Sequence, residues 1–279
     1  MARSERRQWA RLDIDGIALL ADLAAGISLA RVVDFQGVQL RCFGAPAATS
    51  KPLHTADFTG RVDRGGSCNC NVLTITPHAN STHTECVGHL TSQPVDVYRV
   101  IPQRLLIAAV LTVEPELAAD SEESSTPKPQ GNDLLITRSA IERAWPAPAV
   151  ERLSGRSAVI RTLPNPRDKF LEDSEAAPFL TREAATWLVA RGIEHLVLDV
   201  PSADRSRDGG ALTSHRIFFG LPPGSASLAD ATRRDSTITE LAYIDDAVAD
   251  GWYFLSLQSP AIAGDAVPSR PVLYPLRAA

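Results

Sequence analysis

Hydrophobic and polar residues alternate along this chain in patterns that predict short strands interspersed with a few helices. Residues 14–25, IDGIALLADLAA, read as a helical segment, followed by a β-leaning run at 27–35 and a loop rich in Ala, Pro and Gly at 44–52. From Asn71 the pattern VLTIT predicts a strand that runs directly into Pro77 and a polar, His-rich stretch. Side chains with chemistry would then hang from a strand end, a favoured place for function. Residues 105–113 are apolar on both faces and predict a fully buried strand. Residues 114–130, rich in Ser, Glu and Pro, read as a surface linker.

Beyond the linker the spacing predicts a strand at 134–136, a helix at 138–144 and a strand at 158–162. The clearest βαβ signal is T-R-E-A-A-T-W-L-V-A-R-G, with Thr181 as N-cap and Gly192 as the C-terminal stop. It leads into an apolar strand at 195–200 that delivers Pro201, Ser202 and Asp204. Two more strands are predicted at 237–243 and 252–257, and no repeat of fixed period occurs. The order implies α/β or α+β layers around one core. Residues 1–25 form an N-terminal helical extension and 26–279 the domain proper.

Composition narrows the function classes. The 279 residues are 44% hydrophobic and 22% charged, with 28 Lys+Arg against 33 Asp+Glu and a formal net charge of -5. No global positive field exists to collect nucleic-acid phosphates, so no nucleic-acid partner is expected. No apolar stretch reaches the ~20 residues of a membrane span, so no membrane partner is expected. Asp13, Asp15 and Asp22 interrupt anything resembling a signal peptide, and four cysteines make no disulfide framework. A reducing cytoplasm is the expected compartment.

Of the six histidines, His78, His83 and His89 crowd into T-P-H-A-N-S-T-H-T-E-C-V-G-H, with Glu85 between the last two. On a strand, residues two apart share a face, so His83 and Glu85 would present an imidazole and a carboxylate side by side, a donor pair that suits divalent metals. A polar loop with solvated histidines is the plainer explanation, and the density of the cluster argues against it. The pair Cys68 and Cys70 lacks a second Cys/His pair for structural zinc, and Cys86 reads as a small core residue. His195 and His54 read as structural. Asp199 and Asp204 bracket a Pro-Ser turn and either cap it or orient a ligand imidazole.

The segment S-T-H-T-E-C-V-G-H resembles the G-T-H-x-D-x-P-x-H core of the cyclase family of metal-dependent hydrolases, which includes bacterial kynurenine formamidases and isatin hydrolase. Thr82, His83 and His89 match in place, while Glu85 stands for the family Asp, Val87 for Pro and Ser81 for Gly. The family's His four residues before His83 is Ala79 here, with His78 one residue earlier. Either a one-residue bulge brings His78 into the site or that ligand is absent. The stretch from Thr181 to Asp204 is similar to the family's helix, strand and D-x-P-S-x-D segment, and His215 and Glu240 fit its distal ligands. The resemblance implies one domain with the swivelling β/β/α fold, a mixed sheet and flanking helices. It also implies Zn²⁺ or Mn²⁺ held by His83, Glu85, Glu240, His215 and His78, with His89 as general acid/base, and a homodimer. The expected activity is hydrolysis of a small amide, formamide or cyclic amide by a metal-activated water. The alternative is a binding protein that keeps the fold without the chemistry. A serine hydrolase has little support, since no G-x-S-x-G elbow occurs.

Overall fold

The computed structural model describes residues 8–148, 155–171 and 174–279. Its first strands, β1 (Trp9–Ile14) and β2 (Ile17–Asp22), form an antiparallel hairpin where the sequence pattern predicted a helix over 14–25. The cause is the Asp15-Gly16 pair, whose φ angles of 53° and 79° suit the two-residue turn that matches strand twist. Because β2 also pairs with the last strand of the chain, residues 9–22 belong to the main sheet and are no helical extension. Residues 1–7 of that expected extension lie outside the described residues.

There follow β3 (Ile27–Ser28), β4 (Thr49–Pro52), β5 (Asn71–Thr74), the helical turn α1 (Pro77–Asn80), β6 (His83–Cys86), α2 (Val97–Val100) and β7 (Leu106–Val113). The middle of the chain contributes β8 (Glu116–Leu117), β9 (Leu134–Ile136), α3 (Arg138–Ala144), β10 (Ser157–Thr162), β11 (Phe179–Leu180), α4 (Arg182–Ala190) and β12 (His195–Leu198). Last come α5 (Thr213–Phe219), β13 (Thr237–Glu240), β14 (Gly251–Gln258), β15 (Ala266–Pro268) and β16 (Arg270–Ala278). The β-leaning run at 27–35 thus shrinks to two strand residues.

One mixed sheet of eleven strands runs in the order β1-β2-β16-β14-β7-β10-β12-β13-β6-β15, with β3 also on β16. Its centre, β7-β10-β12-β13, is parallel, and β14 and β6 flank it antiparallel. Successive parallel strands are linked through α3, α4 and α5, which pack in sequence against one another. Period-two alternation divides the central strands between two cores. Ile107, Ala109, Leu111, Ala158, Ile160, Leu196 and Leu198 face the helices. Ala108, Val110, Val159 and Val197 face the opposite layer with Leu255 and Leu273. Both faces are buried, as the unbroken apolar run at 105–113 predicts, and each large side chain so enclosed contributes about 1.5–3 kcal/mol of burial.

The linker at 114–130 is anchored. It carries β8, which pairs with β9, and Glu123 accepts hydrogen bonds from the Arg138 and Ser139 amides at the start of α3 and from the Thr181 hydroxyl at the start of α4. A carboxylate there satisfies amides that the first helical turn leaves open. Among the described residues no helix is long and apolar enough to cross a membrane.

Candidate metal centre

The parallel strands β12 and β13 end at one place, and β6 lies alongside with His83 opposite Glu240 in register. Alternation along β6 puts His83 and Glu85 on one face. Thr84 turns away to hydrogen-bond with Thr239 and Ser269, and Cys86 goes into the opposite core. Glu240 closes β13. His215 sits in the first turn of α5, where Asp204, from the segment after β12, receives the Ser214 and His215 amides and aims the ring.

His78 reaches the site by a route the sequence reading did not anticipate. No strand bulge carries it; residues 77–80 make the helical turn α1, with Pro77 at its start and Asn80 Oδ1 accepting from the Thr76 amide. The turn places His78 Nδ1 3.1 Å from Glu85 Oε2. Ala79, in register with the absent family histidine, points into a small apolar cluster with Leu40, Cys42 and Leu241.

The donor atoms converge tightly. His215 Nε2 lies 2.8 Å from Glu85 Oε1 and 3.4 Å from Glu240 Oε1, and His83 Nε2 lies 3.5 Å from Glu240 Oε2 and 3.9 Å from Glu85 Oε2. Two sets of three, His78/His83/Glu85 and Glu85/His215/Glu240, each have donor atoms within 4.8 Å of one another and share Glu85. Partner bonds set the ring orientations. His83 Nδ1 is 3.1 Å from the Ser81 carbonyl and His215 Nδ1 is 2.7 Å from Asp204 Oδ2, so each Nδ1–H donates outward and each Nε2 faces the centre.

Three atoms of the centre have no aligned hydrogen-bond partner although fully buried: His83 Nε2 and both oxygens of Glu85. Leaving such groups unsatisfied costs about 1–3 kcal/mol each, more for a charged group. A divalent cation removes that cost for all three, and an imidazole/carboxylate donor set is the right chemistry for it. Burial opposes charge on Glu85, Glu240 and His215. The neighbouring imidazoles nevertheless hold Glu85 well below the usual carboxylate range, and Glu85 and Asp204 hold His215 well above the usual imidazole range.

Asp265, just before β15, also borders the centre, although no motif or spacing in the sequence marks it. Its Oδ2 lies 3.0 Å from His78 Nε2 and 3.2 Å from His89 Nδ1. Against the cost of burial, Asp265 and Glu85 push His78 up to about 10. His89, on the turn after β6, directs Nε2 toward Glu85 Oε2 at 4.0 Å. His78, His89 and Asp265 also form a third set of potential ligands. A cavity of about 200 Å³ opens over the centre, walled by Phe43, Leu212, Ser202 and Arg205. Phe43 (φ 57°) and Leu212 (φ 45°), which wall the cavity, and Leu241 (φ 56°), which follows Glu240, adopt left-handed backbone, and such strained non-glycine positions gather at functional sites.

Other expectations sort by distance from this centre. Asp204 both caps α5 and orients His215, so its two readings coincide. Asp199 instead pairs with Lys169 and Thr162 in the interior. His195 hydrogen-bonds with Thr237, and burial of the Cys86 thiol pushes it up to about 12. Cys68 is exposed and belongs to none of the candidate ligand sets.

The Cyclase family model matches residues 22–205, about two thirds of the chain. The chain belongs to the Cyclase family. No curated protein matches it in sequence. Solved structures share the cyclase fold over most of their length. Isatin hydrolase A from Labrenzia aggregata bound to benzyl benzoate is 14% identical with a TM-score of 0.57, over 89% of this chain and 93% of its own. An isatin hydrolase bound to the product analogue thioisatinate is 16% identical at TM-score 0.53, over 90% and 92%. A predicted metal-dependent hydrolase from Bacillus stearothermophilus is 13% identical at TM-score 0.54, over 89% and 97%. At these identities the likeness shows the cyclase fold, a mixed sheet with few helices.

Proposed function

We propose that this cyclase is a metal-dependent hydrolase of a small amide, formamide or cyclic amide. The observation that carries the reading is the convergence of buried donor atoms on His83 and Glu85, none with an aligned hydrogen bond, on His215 and Glu240. His83, Glu85, His215 and Glu240 would hold a divalent cation, Zn²⁺ or Mn²⁺, and His78 would complete a second position through the shared Glu85. When bound, such a cation polarises a carbonyl and makes water a nucleophile near neutral pH.

The chain's own residues supply the rest. Asp265 accepts from His89 Nδ1–H, which leaves Nε2 as a base at the cavity floor. Water adds its oxygen to the amide carbonyl carbon and gives a proton to His89 Nε2. The C–N bond then breaks as His89 returns that proton to the departing nitrogen, leaving a carboxylic acid and an amine. Phe43 and Leu212 form apolar walls that limit bulk water. His78, 3.1 Å from Glu85, offers an imidazole where Ala79 has none, which supports this reading over an inert binding protein, whose remaining motive is Glu85 in place of the family Asp. The homodimer implied by the resemblance is part of this proposal.

The test is elemental analysis of purified protein together with a panel of N-formyl and cyclic amides. Turnover that disappears with a chelator and returns with added Zn²⁺ or Mn²⁺ is expected. Hydrolysis that survives complete metal removal would overturn the reading.

A further inference from the structure

The cavity over the metal centre is walled on one side by an arginine that neither the family motif nor the ligand set explains. Arg205 follows Asp204 directly, so the bond network that fixes Asp204 on α5 also fixes the backbone from which Arg205 projects. Its ion pair is with Asp133, Nη2 to Oδ1 at 3.1 Å, and among the described residues no other partner occupies the guanidinium. Asp133 is itself held: its Oδ2 accepts from the Gln130 amide at 2.7 Å, and its own amide bonds to the Gln130 carbonyl. The guanidinium is therefore presented in a set orientation, partly enclosed, with donors left over.

Charge makes this placement informative. The other ionisable walls of the cavity are imidazoles and the carboxylates Glu85, Glu240 and Asp208. Asp208 is satisfied by the Gly210 and Leu212 amides, so it needs no cation. Among the described residues Arg205 is thus the one permanently cationic side chain lining the cavity, and its free donors match an oxyanion in the planar, two-pronged manner of guanidinium–carboxylate pairs. The same side chain also lines a second cavity of about 340 Å³, bordered by Gln130, Asn132 and Glu175.

We propose that Arg205 receives a carboxylate of the substrate, so that the preferred substrates are amides carrying a carboxylate, such as N-acylated amino acids, over neutral amides. This rests on the hydrolase reading for its chemistry, while the recognition itself is a binding property. Asp133 is a positioning residue, and a neutral amide would leave the Arg205 donors without a match.

N-Formylglycine, N-formyl-β-alanine and N-formyl-γ-aminobutyrate, each compared with its neutral carboxamide, test it on the metal-loaded protein. The parent is expected to favour at least one carboxylate over its carboxamide by ~10²-fold in kcat/KM. Arg205→Gln should abolish that preference, mainly by raising KM for the carboxylate, with a much larger loss for the carboxylate than for the carboxamide. Arg205→Lys, which keeps the charge and loses the fork, should recover part of it. Thermal melts confirm that both variants are folded. Compounds that are not turned over are titrated calorimetrically, where tighter binding of the carboxylate to the parent and its loss in Arg205→Gln support the proposal even if hydrolysis fails. Equal preference for carboxylate and carboxamide in the parent, or an equal loss of both in Arg205→Gln with Arg205→Lys no better, overturns it.

Discussion

At the scale of residues, roles follow from which ring nitrogen is occupied. His83 commits Nδ1 to the Ser81 carbonyl, so Nε2 alone is free to ligate, and His83→Ala is expected to remove most bound metal as read by elemental analysis. Stoichiometric metal in both His83→Ala and Glu240→Ala would show that the ligands lie elsewhere. His89 commits Nδ1 to Asp265, and as general acid/base its replacement by Ala should keep metal and fold while turnover drops by about two to four orders of magnitude. Loss of metal in that variant would instead place His89 among the ligands with His78 and Asp265. His78 separates one-metal from two-metal occupancy. Titration is expected to give two equivalents in the parent and one in His78→Ala, whereas one equivalent in both would leave the His78/His83/Glu85 set without a cation. The pairing of His83 with Glu85 was legible from strand alternation, but Asp265 was not, since a lone Asp after Gly264 carries no spacing signal.

At the scale of elements, caps and turns decided more than hydrophobic periodicity did. Thr181 behaves as its position predicts: its hydroxyl oxygen accepts from the Ala184 amide and donates to Glu123, tying the start of α4 to the linker. Thr181→Ala should therefore destabilise the protein by about 1–2 kcal/mol, measured by urea unfolding, because both the cap and a buried partner for Glu123 are lost. An unchanged midpoint would show that α4 holds without its cap. Gly192, at φ 76°, closes the same helix as expected. At residues 14–25 the apolar run predicts a helix although Asp15-Gly16 stands at its head. The turn chemistry prevailed there, because two consecutive positive φ angles are cheap for Asp-Gly and incompatible with a helix. At residues 77–80 Pro77 had suggested a disturbed strand, and it initiates a helical turn, for which its fixed φ is equally suited.

At the scale of the whole molecule, burial couples stability to pH. His195 lies within the sheet, and desolvation, the largest influence on it, lowers its pKa from 6.5 to about 4. The unfolded chain takes up a proton near pH 6.5 while the folded protein resists until about pH 4, so stability present at neutral pH is lost as pH falls through that window. The loss is of order 2–3 kcal/mol by linkage. His195→Gln should flatten the dependence between pH 6.5 and 4 relative to the parent, with metal kept saturating in both. Parallel pH profiles would mean that His195 does not govern it. Metal binding should also stabilise the fold by about 2.7 kcal/mol at a hundredfold excess over Kd, so that the melting temperature rises as free metal increases. A melting temperature indifferent to metal would contradict a site built into the fold.

The sequence alone determined what local rules can carry: buried strands that are apolar on both faces, the capped α4, the absence of basic character, and the clustering of histidines around Glu85. It also located His215 and Glu240 by resemblance, though they lie far from that cluster along the chain. Only the tertiary structure decided that the ends of β12 and β13 bring Asp204, His215 and Glu240 to β6. It also decided that α1 brings His78 beside Glu85, and that Asp265 and Arg205 border the centre. The physical reason is that ligation and recognition depend on where side chains from distant elements converge. That convergence is set by the register and order of the sheet, which no single segment encodes.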